Sequence, residues 1–449
     1  MAKIVIIGAG SGFGSRLSMD IMATEAMQGA TIGLCDIHAG RLKQVADYVR
    51  NTAERHAVPV TIEANTDRTA LLDGADFVVT SISAGGGAYW GHPYTAEVGI
   101  PRKYGIDQQV ADTCSVGAVF RFLRTGPVQR QILEDVDRQC PDALVLNHTN
   151  PMAMLTWLHN TTTNARYAGL CHGVQGTIWE LSEKFLGVPV REVSYHVAGI
   201  NHLAWFLEIR RGKEDLYPCL RAIIDDPQQA ADPKYVENER VRVEIMRQFG
   251  YFPTESSRHD SEYMPYFART EEERSRFGLK SRIISETCPK NREWMGDGGA
   301  VAKGAGELHR SNEYTTRIME AVLTDVPYRF NGNVMNTGLI GNLPPGCCVE
   351  VPCLVDARGV HPCHVGALPA QLAALDRTNV AVQELAVQAV LERDREAAFH
   401  ACALCPLASA LLPLDQIRAM FEEMWEAEKE LLLWFDPNHR GPLPETCAP

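Results

Sequence analysis

The chain has 449 residues, 45% of them hydrophobic and 22% charged, with a formal net charge of −13. That is a globular composition, long enough for two or three domains around a substantial core. The negative balance argues against non-specific binding to nucleic acid or an anionic membrane surface, and no apolar run reaches the roughly 18 residues that span a bilayer.

The thirteen cysteines have no framework spacing. The start, Met1-Ala-Lys-Ile-Val-Ile-Ile-Gly, does not read as an export signal. Reduced thiols and a cytoplasmic location are therefore expected. Residues 3–7 are a β-branched run, which predicts a strand. Gly8-Ala9-Gly10-Ser11-Gly12-Phe13-Gly14 follows, then helical apolar spacing over 15–27. Strand, glycine-rich turn and helix suit a pyrophosphate, because backbone can approach it and the helix start offers free N–H groups. A second strand over 31–35 runs into Asp36, where an acid about 20 positions past the glycines grips a ribose diol. Phe13 stands where the third glycine of GxGxxG belongs. Gly8, Gly10, Ser11, Gly12, Phe13 and Asp36 are thus assigned to a dinucleotide, NAD, with Arg41, Ser83 and Asn147 as further contacts.

Helices over 41–55 and 119–138 alternate with strands over 60–62, 75–83, 143–146 and 167–170. A flexible glycine loop over 84–87 closes the second of these strands. This alternation predicts a parallel, doubly wound sheet. After residue 202 the pattern changes. A strand over 203–210 is expected in a different sheet, then a helix over 238–250. The polar group over 255–265 reads either as part of a site or as a solvated loop. Residues 271–277 are surface, and 285–304 are glycine-rich. A helix is expected over 309–323, strands over 328–340 and 348–355, a long helix over 369–404 broken near Asp394, and a last helix over 415–432. The expected architecture is a Rossmann-like α/β domain over 1–195 and a mixed α+β substrate-binding and oligomerisation domain over 196–449.

Cys171, His172 and His202 each follow an apolar run and sit beside glycines. Thiolate and imidazole in such places suit a divalent Zn, Mn, Fe or Co ion. They equally suit a buried cysteine beside hydrogen-bonded histidines, and the residues alone leave both readings open.

Taken together, GAGS, LCDI, the Asn-Pro turn at Asn150, LCHGVQGT, AGINH, ESSxHxxEY and NLPxGCCVEV resemble glycoside hydrolase family 4, over nearly the whole chain. The resemblance is strongest to the family's α-galactosidases. It implies a retaining α-glycosidase that needs NAD and a divalent metal, usually manganese. It implies transient oxidation at C3 of the sugar, loss of the C2 proton, expulsion of the aglycone, addition of water and re-reduction. Paired-carboxylate glycosidases work differently. On this footing Cys171 and His202 are the metal ligands and Tyr263 is the base. His172 and Asp107 are candidate acids. Asn150, Asp112, Gln175, Asn201, His259 and Asp260 are candidate sugar contacts. A homodimer or homotetramer is expected.

The chain departs from the family's pattern in places. Gly173 replaces the serine of CHSV, and Asp260 stands at an apolar position. The Cys-His pair differs from the Cys-Asn and Cys-Asp of phospho-glycosidases, which speaks against a 6-phosphate. An α-glucoside, α-galacturonide or sulfonated sugar stays open, with Arg102, Lys103, Arg121 and Arg258 as available cations. The rivals are a lactate- or malate-type dehydrogenase, which has no use for a Cys171–His202 metal pair, and a silent NAD sensor, which needs neither that pair nor Tyr263.

Overall fold

The computed structural model describes residues 1–85, 91–280, 304–439, 441 and 443. Residues 86 and 87 of the glycine loop, and 285–303 of the later glycine-rich stretch, lie outside the described residues. The opening run is β1 (Lys3–Ile7), buried at every position after Lys3. Beside it stand β2 (Thr31–Cys35), β3 (Thr61–Asn65), β4 (Phe77–Thr80), β5 (Leu144–Asn147) and β6 (Arg166–Gly169). All six are parallel, in the order β3-β2-β1-β4-β5-β6. Helices α1 (Gly12–Met22), α2 (Ala39–Arg55), α3 (Tyr94–Lys103), α4 (Val116–Gln139) and α5 (Met152–Thr162) lie in the connections. The chain therefore has the expected Rossmann-like fold, with its crevice where the strand order reverses between β1 and β4.

The turn after β1 needs its glycines. Gly8 has φ +88°, and a Cβ there would lie 2.0 Å from the Ser81 carbonyl oxygen. Close packing of helix on strand, the third glycine's task, falls to Gly14: a Cβ there would lie 2.3 Å from the Ala9 carbonyl oxygen. Phe13 instead packs on His148, with ring centroids 4.5 Å apart. α1 ends at Met22 rather than at 27, because the Thr24 hydroxyl turns back onto the Asp20 carbonyl at 2.7 Å and a 3-10 turn follows.

The second half adds β7 (Val193–Ile200), β8 (Leu203–Arg211), β9 (Glu214–Asp215), β10 (Phe252–Pro253), β11 (Tyr328–Met335), β12 (Cys348–Asp356) and β13 (Gly359–Pro362). The expected change of sheet at residue 203 does not occur. β11 joins β6 through Asn333 and Gly169, β12 joins β7 through Glu350 and Gly199, and thirteen strands form one sheet. Each join is a single residue pair, too short to leave a pattern in the sequence. The helix expected over 309–323 begins only at Thr315 (Thr315–Thr324). Ahead of it, Ser311 donates from its backbone N–H and its hydroxyl to Asp20, each at 2.6 Å, which straps the chain to α1. The long C-terminal helix breaks where expected, between Ala370–Glu392 and Arg395–Leu404, with the Asp394 carboxylate capping the second piece. One hydrophobic core runs from Ile4 and Leu146 through Trp205 to Met420 and Met424. No described helix is long and apolar enough to cross a membrane.

Gly14→Val tests the helix–strand contact. Its side chain meets backbone, which cannot rotate away, so stability should fall by about 1–3 kcal/mol. An unchanged denaturation midpoint would contradict so close an approach of α1 to β1.

Candidate active site

At the dinucleotide turn, the Gly10 N–H donates to Asp36 Oδ2 at 2.8 Å, and the His38 N–H donates to Oδ1 at 2.8 Å. Ser11 begins α1, and its hydroxyl returns to the Gly8 carbonyl at 3.1 Å. No side chain caps this helix start and no acid lies in its first turn. The N–H groups at this helix start, those of Gly12 and Phe13 among them, therefore give it the polarity that suits an anion. Arg41 and Ser83 are half-buried flanking positions. Asn147 is fully buried: Oδ1 accepts from the Thr80 hydroxyl at 2.7 Å and from the Thr149 N–H at 3.0 Å, and Nδ2 donates to the Thr149 carbonyl. Its amide is spent in holding the turn that leads to Asn150, itself half-buried.

Cys171 follows the carboxyl end of β6. His202 lies in the two-residue turn between Ile200 and Leu203, which pair with each other across the β7–β8 hairpin. Its φ of +62° is left-handed, and Glu255, just beyond β10, shares that conformation with φ +73°. These three residues converge. Cys171 Sγ is 3.1 Å from His202 Nε2 and 3.5 Å from Glu255 Oε1, and His202 Nε2 is 3.4 Å from Glu255 Oε1. Burial and the Glu255 charge push the Cys171 thiol well up. Burial favours a neutral Glu255, but His202 and His259 outweigh it and hold that carboxyl below its usual range.

The stretch 255–263 is no solvated loop. Ser257–Tyr263 is a short helix, and Ser257, Asp260, Ser261, Glu262 and Tyr263 are buried. Glu262 accepts the N–H groups of Gln109, Val110 and Ala111 at 2.7, 3.0 and 3.1 Å, clamping the turn before Asp112. The His259 ring sits 4.6 Å from that of His202, with Nε2 3.7 Å from Asp112 Oδ1. Burial pulls His259 down, yet Asp112 and Glu255 outweigh it and push it up to about 9. Burial acts the other way on Asp112, and His259, Arg121 and His202 more than offset it, holding Asp112 well below the carboxylate range. Asp260 is fully enclosed, and burial drives its carboxyl well up.

The Tyr263 hydroxyl donates to the Asn201 carbonyl at 3.0 Å, on the turn that carries His202, and burial raises the phenol well above its ordinary value. Asp107 is committed to Arg102 at 3.2 Å and Arg274 at 3.5 Å. His172 Nε2 is 2.6 Å from Glu313 Oε2, whose other oxygen accepts from Thr315 Oγ1 at 2.8 Å. A cleft of about 1020 Å³ opens beside them, walled by Gly12, Arg16, His172, Gln175 and Glu313. The structure thus gathers Cys171, His172, Asn201, His202, His259 and Tyr263 by direct contact or chain adjacency. Gln175 lines the cleft and Asp107 is tied into its own arginine pair.

Two acidic residues at the site escaped the sequence assignments. Glu255 lies inside a motif rich in ionisable groups, and its backbone conformation has no sequence signature in a residue other than glycine. Glu313 falls in what reads as helix.

Residues 3–187 match the family model described as Family 4 glycosyl hydrolase, and residues 197–408 match its C-terminal domain. An α-galactosidase of Bacillus subtilis (strain 168) is 38% identical over 437 residues, covering 96% of this chain and 99% of its own length. An α-galactosidase of Rhizobium meliloti (strain 1021) is 32% identical over 449 residues, covering 96% and 89%. The 6-phospho-beta glucosidase from Thermotoga maritima, determined with manganese, NAD+ and glucose-6-phosphate, superposes with a TM-score of 0.76 at 20% identity over 96% of this chain and 99% of that one.

Proposed function

The chain belongs to glycosyl hydrolase family 4, and on that premise we propose that it cleaves an unphosphorylated α-galactoside with NAD and a divalent cation, manganese, as resident cofactors. The observation that carries this reading is the continuity of the two sites. Phe13 of the dinucleotide turn packs on His148, whose ring lies 5.8 Å from that of His172, the residue after Cys171. The α-galactosidases at 38% and 32% identity support the choice of sugar.

The residues fit both cofactors. The glycine cradle, the uncapped start of α1 and Asp36 suit a dinucleotide, and Cys171 with His202 offers the thiolate–imidazole pair that a transition metal takes. Bound NAD would supply reversible oxidation at C3 of the sugar, and a cation held by Cys171 and His202 would supply positive charge that acidifies the neighbouring C2 proton. The chain supplies the rest. Tyr263 is the base for the C2 proton; its hydroxyl donates to the Asn201 carbonyl and burial raises the phenol, so it would need the charge of a bound cation to lower it before Oη can take that proton. His172, steadied at Nε2 by Glu313, meets the leaving oxygen. Asp107 is tied to two guanidinium groups, so His172 rather than Asp107 takes that part. The His259–Asp112 pair and Asn150 would hold hydroxyls, with Gln175 on the approach.

A panel of aryl α-glycosides, assayed with manganese and with or without NAD, tests the reading. The galactoside should react fastest, and enzyme stripped of NAD should be silent until NAD is restored. Full turnover by the stripped enzyme would contradict it, and faster cleavage of a glucoside or galacturonide would change the sugar.

Tyr263→Phe should lower kcat by about 10²-fold or more, the usual contribution of a general base, while NAD binding persists. Wild-type turnover in this variant would remove Tyr263 from the chemistry.

A further inference from the structure

We propose that Glu255 is a third protein ligand of the divalent cation and that Gly173 is the space that admits it. The inference rests on the reading of Cys171 and His202 as a cation pair. Metal–ligand bonds of roughly 2.0–2.3 Å, meeting at right or tetrahedral angles, set donor atoms about 2.8–3.8 Å apart. The separations here, 3.1 Å for Sγ–Nε2, 3.5 Å for Sγ–Oε1 and 3.4 Å for Nε2–Oε1, all fall in that window.

The backbone goes out of its way to put the carboxylate there. Both His202 and Glu255 are left-handed, a conformation that residues other than glycine rarely adopt. Glu255 is anchored on both sides. Its N–H donates to Thr177 Oγ1 at 3.1 Å, and its carbonyl accepts from Arg242 Nη1. Arg242 is itself buried and ion-paired with Glu180 at 2.7 Å and Glu239 at 2.9 Å. Sparse backbone conformations held this firmly cluster at functional side chains.

Gly173 makes room for that placement. A Cβ there would lie 2.5 Å from Glu255 Oε1, and the glycine's own φ is not left-handed. The backbone does not require glycine at 173, but any side chain there would push the Glu255 carboxylate out of its present position. Thiolate and carboxylate together balance the charge of a divalent ion, and the oxygen donor moves the site's preference towards Mn and Fe relative to a pure sulfur–nitrogen pair.

The test uses the full chain saturated with NAD. Mn2+ is titrated in and the free ion followed by electron paramagnetic resonance. Co2+ serves as a second probe, through its thiolate charge-transfer absorption. Glu255→Gln and Gly173→Ala should each raise the Mn2+ Kd about 10- to 100-fold, while the cobalt–thiolate band survives because Cys171 still binds. Gly173→Ala retains the carboxylate and decides the matter if Glu255→Gln does not fold. Wild-type Mn2+ affinity in the folded variants overturns the proposal. Cys171→Ser separates the two ideas. Binding lost there but unchanged in Glu255→Gln and Gly173→Ala removes Glu255 alone, whereas binding unchanged in all three removes the cation pair as well.

Discussion

The site depends on two left-handed residues, His202 and Glu255, that bring side chains from separate elements onto the end of β6. Each such conformation costs of order 1–3 kcal/mol, and the cost is met by anchoring that has no other evident purpose. The His202 turn is fixed by the pairing of Ile200 with Leu203 and by the Tyr263 hydroxyl on the Asn201 carbonyl. Glu255 is fixed by Thr177 and by Arg242. Relaxing either turn would shift the side chain it carries, so the placement of these side chains is a property of the backbone.

Electrostatics point the same way. A buried thiol, a buried carboxyl and a buried imidazole make a poor set on their own, since charges out of water are costly unless paired. The enclosed surroundings push the Cys171 thiol up while His202 and His259 hold the Glu255 carboxyl down. His259 is drawn in turn towards Asp112. The geometry carries the case: three donor atoms lie within 3.5 Å of one another, an arrangement suited to a divalent cation.

Much of this could be read from the residues. The six parallel strands and the dinucleotide turn follow from β-branched runs closed by glycines, and the break at Asp394 from a capping residue inside a helical pattern. Cys171 and His202 stood out because each lies beside glycines after an apolar run. What stayed hidden depends on distant chain segments. The single-pair joins Asn333–Gly169 and Glu350–Gly199, which make one sheet of two expected ones, leave no periodicity. Gly14 taking the third glycine's role is a matter of a clash 2.3 Å away. Glu255 is one acid among several in its motif, and only its backbone angle and its distance to Cys171 set it apart.

The central claim is that the dinucleotide turn and the cation pair serve one reaction, in which a sugar is oxidised, loses its C2 proton, sheds its aglycone and is reduced again. The most direct measurement is hydrolysis of an aryl α-galactoside in D2O, with the product sugar examined by NMR. The account predicts deuterium at C2, because the proton removed there exchanges with solvent before it is replaced. Product with only protium at C2, together with no rate effect of deuterium placed at C3 of the substrate, would contradict it and favour cleavage through an oxocarbenium-like transition state.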